Sequence, residues 1–250
     1  MIELVNFSKN YGSVAAVSDV SFSAKDSKIT GLLGANGAGK TTILKAICAI
    51  HYATSGSVLI DGISCEDEPL KVKSITGYVS ENPRFYENFT VSDFLKFIAD
   101  TRFCNKSRAE KAKTSKERIS YVVETCSLED VLSKKISALS KGYRQRLAFA
   151  SAIMHDPKIL VLDEPVTGLD PVQIQEMRAL IKSMSKNKTI LLSTHLMQEV
   201  SALCDEVVIL TKGRLAATGT PDEILAKSGK SSLEDAFLYF SKTKCVKNIY

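Results

Sequence analysis

No run of apolar residues in this 250-residue chain approaches the roughly twenty needed to cross a bilayer, so any role at a membrane has to come through a partner chain. The opening Met1-Ile2-Glu3-Leu4 lacks the basic-then-apolar order of a secretion signal, which leaves a cytoplasmic location as the expectation. The six cysteines, Cys48, Cys65, Cys104, Cys126, Cys204 and Cys245, include no C-x-x-C pair and no other metal-ligand spacing. That excludes a disulfide framework and predicts free thiols in a reducing compartment. Internal repeats, low-complexity tracts and linkers are also missing. What remains is 44% hydrophobic and 24% charged, enough for one large α/β domain with an inserted or appended piece. The net charge of +5 is unevenly placed: residues 105–120 carry Lys106, Arg108, Lys111, Lys113, Lys116 and Arg118 against Glu110 and Glu117. No aromatic residues interleave with these cations, so the stretch reads as a solvated helix face and gives no support to specific nucleic-acid binding.

Hydrophobic patterning predicts β-strands at residues 2–7, 17–23, 58–60 and 75–79, then helices at 91–101 and 118–126. Short β-branched runs return at 159–162, 189–193 and 207–211, with helical segments at 171–185 and 195–203 between them. Such alternation implies parallel strands joined by right-handed helical crossovers. Residues 232–240 read as a short amphipathic segment, followed by a basic tail with Lys242, Lys244 and Lys247 that is expected to fray.

Two motifs carry chemistry. Gly34-Ala35-Asn36-Gly37-Ala38-Gly39-Lys40-Thr41-Thr42 has the spacing of a phosphate-binding loop, and it sits between a β-like run and a helix-like one. Its glycines let backbone N–H groups close around a polyphosphate. Lys40 can then reach the outer phosphates, Thr41 can offer a hydroxyl to Mg²⁺, and the following helix turns its positive end toward the anion. The second motif, Ile159-Leu160-Val161-Leu162-Asp163-Glu164-Pro165, delivers two adjacent carboxylates at the carboxyl end of a strand, the edge where open α/β sheets bind ligands. Asp163 is placed to hold Mg²⁺, and Glu164 to orient and deprotonate an attacking water.

Between them lies Leu139-Ser140-Lys141-Gly142-Tyr143-Arg144-Gln145-Arg146, directly before a helical run over residues 147–154, and here the chain resembles the ATP-binding cassette family of transport ATPases. The family's signature begins Leu-Ser-Gly-Gly-Gln. Lys141 replaces the first glycine and Tyr143 the glutamine, while Leu139, Ser140 and Gly142 match. The resemblance runs from about residue 2 to residue 219. It implies a P-loop NTPase core of α/β class with a mostly parallel sheet, an N-terminal antiparallel β subdomain and an inserted α-helical subdomain. The expected division is one ATPase domain over residues 1–220, with the helical insertion at about 82–150, and a short extension over 221–250.

By the same resemblance, Tyr11 falls where the family stacks an aromatic ring on adenine. Gly34, Asn36, Gly37, Ala38, Gly39, Lys40, Thr41 and Thr42 would cradle phosphate, with Lys40 also counted as catalytic. Thr167-Gly168-Leu169-Asp170 follows the carboxylate pair, and Asp170 would help join two subunits; it can also cap a helix before Pro171, and both roles are compatible. His195, in Ser193-Thr194-His195, matches the histidine that contacts the terminal phosphate and steadies Glu164. In Gly77-Tyr78-Val79-Ser80-Glu81 the family has glutamine where this chain has Glu81, a further oxygen ligand for Mg²⁺ that adds a negative charge. The implied function is ATP binding and hydrolysis by paired cassettes. ATP would be sandwiched between Lys40, Thr41, Asp163, Glu164 and His195 of one copy and Ser140 and Gly142 of the other, an identical or paralogous cassette. Closure would drive an integral membrane permease subunit from the cytoplasmic face.

The run from Glu81 to Val91, with Lys141 and Tyr143, looks more like cassettes that serve ABC-2-type exporters than those of sugar or amino-acid importers. Phe85, Tyr86 and Phe89 would either receive a short helix from the permease or pack within the helical subdomain. The alternative is a soluble or regulatory cassette that binds ATP for interaction rather than transport. Against it, only 122 residues separate Lys40 from Asp163, with no long coiled coil between them, and both Glu164 and His195 are present.

Overall fold

Strands that are apolar at every position must be covered on both faces. The computed structural model, which describes residues 1–242, places three mostly apolar strands that are buried at every position, over residues 29–33, 189–194 and 159–163, side by side at the centre of a sheet. In chain order the elements are β1 (Ile2–Tyr11), β2 (Val14–Ala24), β3 (Ile29–Leu33), α1 (Lys40–Ile47), β4 (Ser55–Ile60), β5 (Ile63–Ser64), α2 (Pro69–Ile75) and β6 (Thr76–Val79). Then follow α3 (Val91–Arg102), α4 (Arg108–Thr125) and α5 (Lys141–Ile153), with short 3₁₀ turns at Glu129–Val131 and Ile136–Ala138. The chain returns through β7 (Ile159–Asp163), α6 (Pro171–Ser185), β8 (Thr189–Thr194), α7 (Met197–Leu203), β9 (Glu206–Thr211), β10 (Arg214–Gly219), α8 (Pro221–Ser228) and α9 (Leu233–Lys242).

Six strands form the main sheet in the order β10-β9-β3-β8-β7-β6, all parallel except β10, which pairs antiparallel to β9. A second sheet, β2-β1-β4-β5, is antiparallel throughout. Alternation along β7 divides the core: Leu160 and Leu162 join the helical side with Phe149, Leu147 and Ile181, whereas Ile159 and Val161 face α1 and the antiparallel sheet with Ile43, Leu44 and Phe7. In β1 the register slips between Leu4 and Phe7, where Asn6 has a φ of 48°, and this bulge returns Phe7 to the buried face after Ile2 and Leu4.

Differences from the sequence-based expectation have local causes. Helix α4 starts at Arg108 rather than near 118, because Ser107 and Glu110 form a capping box ahead of turns with no apolar face, and only Val122 and Val123 are buried on it. Ile75 closes α2 instead of opening β6, and His195 precedes α7 instead of starting it. β10 was not expected: its sequence lacks an apolar alternation, and it is held by a tight turn at Lys212 and Gly213, both at positive φ. Helices α8 and α9 pack back on the main sheet through Ile224, Ala236 and Phe240 against Leu33, Val207 and Ile209. The basic residues Lys244 and Lys247 lie outside the described residues, and Lys242 ends α9. Five cysteines, Cys48, Cys65, Cys104, Cys126 and Cys204, are free thiols.

Candidate functional site

Three neighbouring parallel strands, β3, β8 and β7, end level with one another: Leu33 is the register partner of Thr194, and Asp163 that of Ser193. Their outgoing loops therefore converge on one edge of the sheet and bring residues 34–40, His195 and Glu164 together. After β3 the chain turns into α1 through Gly39, at a φ of 99°; a Cβ there would stand 2.9 Å from both the Ala16 carbonyl oxygen and a Val17 methyl. Only glycine satisfies both the left-handed backbone and that approach. A cavity of about 620 Å³ opens on this loop, lined by residues 35–42 with Ala16, Glu81, Glu164, Thr167 and His195.

Within it the ionisable groups hold one another. Lys40 is 6% exposed; its Nζ donates to the Gly34 carbonyl at 2.7 Å and lies 3.2 Å from a Glu164 oxygen. The other Glu164 oxygen is 2.8 Å from His195 Nδ1 and accepts from Thr167 Oγ1 at 3.0 Å. Glu164 adopts a left-handed backbone with φ 50°, unusual for a residue with a side chain, and its N–H is held by Ser193 Oγ at 3.0 Å. The same hydroxyl donates to Asp163 at 2.6 Å, and Tyr78 donates to the second Asp163 oxygen at 3.4 Å. Beside Asp163, burial pushes the Tyr78 hydroxyl far above its ordinary range, with the carboxylate adding to the effect. It therefore remains a donor. Asp163 is thus a carboxylate only 1% exposed that has hydroxyl donors and no cation among the described residues.

That arrangement suits a hard divalent cation approaching from the cavity side. No group of three or more His, Cys, Asp or Glu among the described residues could hold a metal alone, so Mg²⁺ here would rely on oxygens brought by the substrate. Gly34 and Asp163 lie beneath the cavity floor, whereas Asn36, Gly37, Ala38, Gly39, Lys40, Thr41, Thr42, Glu81, Glu164 and His195 line it. Four expected residues are elsewhere. Tyr11 is half-exposed at the end of β1, its hydroxyl 3.0 Å from His51 Nε2. Asp170 caps α6 through Val172 N and Gln173 N, each at 3.0 Å. Ser140 caps α5 on an exposed turn, and Gly142 packs against the Gln173 side chain so closely that a Cβ would collide with it. Sequence reasoning did not single out Ala16, Tyr78 or Ser193 as parts of the site. Only Ser193 had a signal, as a polar residue directly after the apolar run Ile190-Leu191-Leu192.

Loop, sheet edge and carboxylate pair together define a P-loop NTPase core. The ABC transporter family model matches residues 17–167, and the chain belongs to that family, among its ATP-binding subunits. It is 36% identical over 244 residues to the "Probable multidrug ABC transporter ATP-binding protein YbhF" of Escherichia coli K12, covering 95% of this chain. It spans only 41% of the length of that relative. It is 34% identical over 233 residues to the "Bacitracin transport ATP-binding protein BcrA" of Enterococcus faecalis, covering 92% of this chain and 72% of the relative. A solved structure of an ATP-binding subunit of an ABC transporter superposes with a TM-score of 0.85 at 29% identity, over 97% of this chain and all of that one.

Proposed function

We propose that the chain is the ATP-hydrolysing cassette of an exporter, working on a separate membrane permease from the cytoplasmic face. The observation that carries this is the convergence of Lys40, Glu164 and His195 in one cavity on the phosphate-binding loop. ATP enters with its phosphates on the amides of residues 35–42, at the positive end of α1. Tyr11, at the mouth of the antiparallel sheet, receives the adenine. Thr41, Glu81 and Asp163 supply oxygens for Mg²⁺, which when bound neutralises charge on the phosphate oxygens. Lys40 turns from Glu164 to the terminal phosphate, and the Glu164 oxygen it leaves is free to take a proton from the attacking water. His195 and Thr167 keep the other oxygen fixed, so the base is aimed rather than mobile.

Ser140, Gly142 and Asp170 act on a second copy. They lie outside the cavity of their own chain, which is what a head-to-tail pair requires, each copy completing the site of the other. ATP then holds the pair shut, and loss of its terminal phosphate lets it open. For the permease, the structure offers Tyr86, Phe89 and Phe97, which pack on one another with ring centroids 5.3 to 6.2 Å apart while 37 to 56% exposed. Phe85 turns inward instead, onto Phe94. An exposed aromatic cluster of this kind suits a short amphipathic helix from a partner. A multidrug transporter and a bacitracin transporter among the relatives favour export.

Two assays test the reading. The purified chain should release phosphate from ATP only with Mg²⁺, and the tagged chain from solubilised membranes should bring down a polytopic protein, a capture lost in Tyr86→Asp. Mg²⁺-independent or absent phosphate release would overturn the enzymatic half; no membrane protein in the capture would overturn the transport half.

A further inference from the structure

The first turns of α5 carry three cations, and they differ in one respect. Arg144 is paired bidentately with Glu87 at 2.9 and 2.6 Å, and Arg146 is paired with Glu176. Lys141 has no acid partner and no hydrogen bond among the described residues. Lys141 is exposed. The stem lies across Gly168, in the loop that follows Glu164: a Cβ on Gly168 would collide with Lys141 Nζ and stand 3.3 Å from its Cε. Gly168 itself has a φ of 72°, a left-handed backbone that favours glycine, and its bare face leaves room for the lysine above it. Next to Lys141 is the exposed Ser140, whose hydroxyl accepts from Tyr143 N at 3.4 Å and keeps its own proton to give.

We infer that Lys141 is a substrate-contacting residue acting across the dimer: carried on the same turn as Ser140, its ammonium meets the terminal phosphate of the ATP held by Lys40 of the second copy. This rests on the head-to-tail pairing proposed above and adds to it a charge that a glycine at this position would not supply. In the closed pair the phosphate is cut off from water, where an ammonium–phosphate contact is strong. ADP lacks the phosphate that Lys141 reaches, so the contact favours closure on ATP over closure on ADP.

The test is ATP-driven dimerisation in a Glu164→Gln background, followed by sedimentation velocity during ATP titrations at low and high NaCl. Lys141→Ala should raise the ATP concentration for half-dimerisation about tenfold, as expected for loss of one charge-assisted contact. It should also flatten the salt dependence, because the screened charge is gone. Lys141→Arg should restore both. An unchanged midpoint in Lys141→Ala, or a raised midpoint with the full salt dependence retained, would overturn the role of Lys141 while leaving the pairing intact. If the Glu164→Gln parent stays monomeric at saturating ATP, the pairing fails and the role of Lys141 with it.

Discussion

The loop site and the signature turn set out their polar groups in opposite ways. At the loop, Lys40, Glu164, Thr167 and His195 satisfy one another in a sheltered cavity. At the turn, Ser140 is exposed and Lys141 has no acid partner, although α5 behind them is among the best-buried helices of the chain. On the reading proposed above, one chain then holds a site and a half-site, and they are not halves of the same site.

The strongest way to break the comparison is at Glu164. Glu164→Gln should lower phosphate release by roughly 10² to 10⁴, the range for a general base, while nucleotide binding persists in a fluorescent-ATP titration. Undiminished turnover would place the base elsewhere. Ser140→Ala sharpens it, since the serine lines no part of the loop cavity in its own copy. Turnover at high protein concentration should fall about tenfold, as for one hydrogen bond to a charged group, with no change in ATP affinity measured on dilute monomer. An affinity change in that monomer would mean the turn belongs to its own site after all.

Ser193→Ala removes the hydroxyl that ties Asp163 to the Glu164 backbone. Thermal denaturation should show a loss of about 1–3 kcal/mol, the cost of a buried polar group left without its partner. Acid should act away from both regions. Burial, followed by the nearby charge of Arg102, lowers the His155 imidazole from its ordinary value to about 4. Arg118 and Lys188 add to this, against a hydrogen bond to the Thr76 carbonyl. The folded protein therefore keeps His155 neutral where the unfolded chain takes a proton. Its contribution is full above the unfolded value of about 6.5 and is lost as pH falls toward 4, on the order of 2 kcal/mol. His155→Gln should flatten urea-denaturation stability over that window; an unaltered slope would contradict the assignment.

Much of this was legible from residues alone, for reasons that differ between regions. The phosphate loop and β7 declare themselves because their chemistry is local: glycines, a lysine and two threonines in nine residues, and four apolar positions ending in two acids. The signature turn needed the family resemblance, since a serine-capped helix is common. The first turns of α4 and all of α8 escaped because neither shows an apolar stripe, although Ser107 with Glu110 and Thr220 with Glu223 spelled out their capping boxes. The Lys40–Glu164 pair, the double role of Ser193 and the seating of Lys141 on Gly168 join residues far apart in the chain, and no local pattern encodes such contacts.

The half-site claim can be tested by crosslinking. Copies carrying Ser140→Cys and copies carrying Asn36→Cys, both with Glu164→Gln and with Cys104 and Cys245 replaced by serine, would be mixed, given ATP or ADP, and oxidised. The account predicts a disulfide-linked mixed dimer with ATP and none with ADP. Absence of that dimer with ATP bound to both copies, or a disulfide forming within a single copy that carries both cysteines, would contradict it.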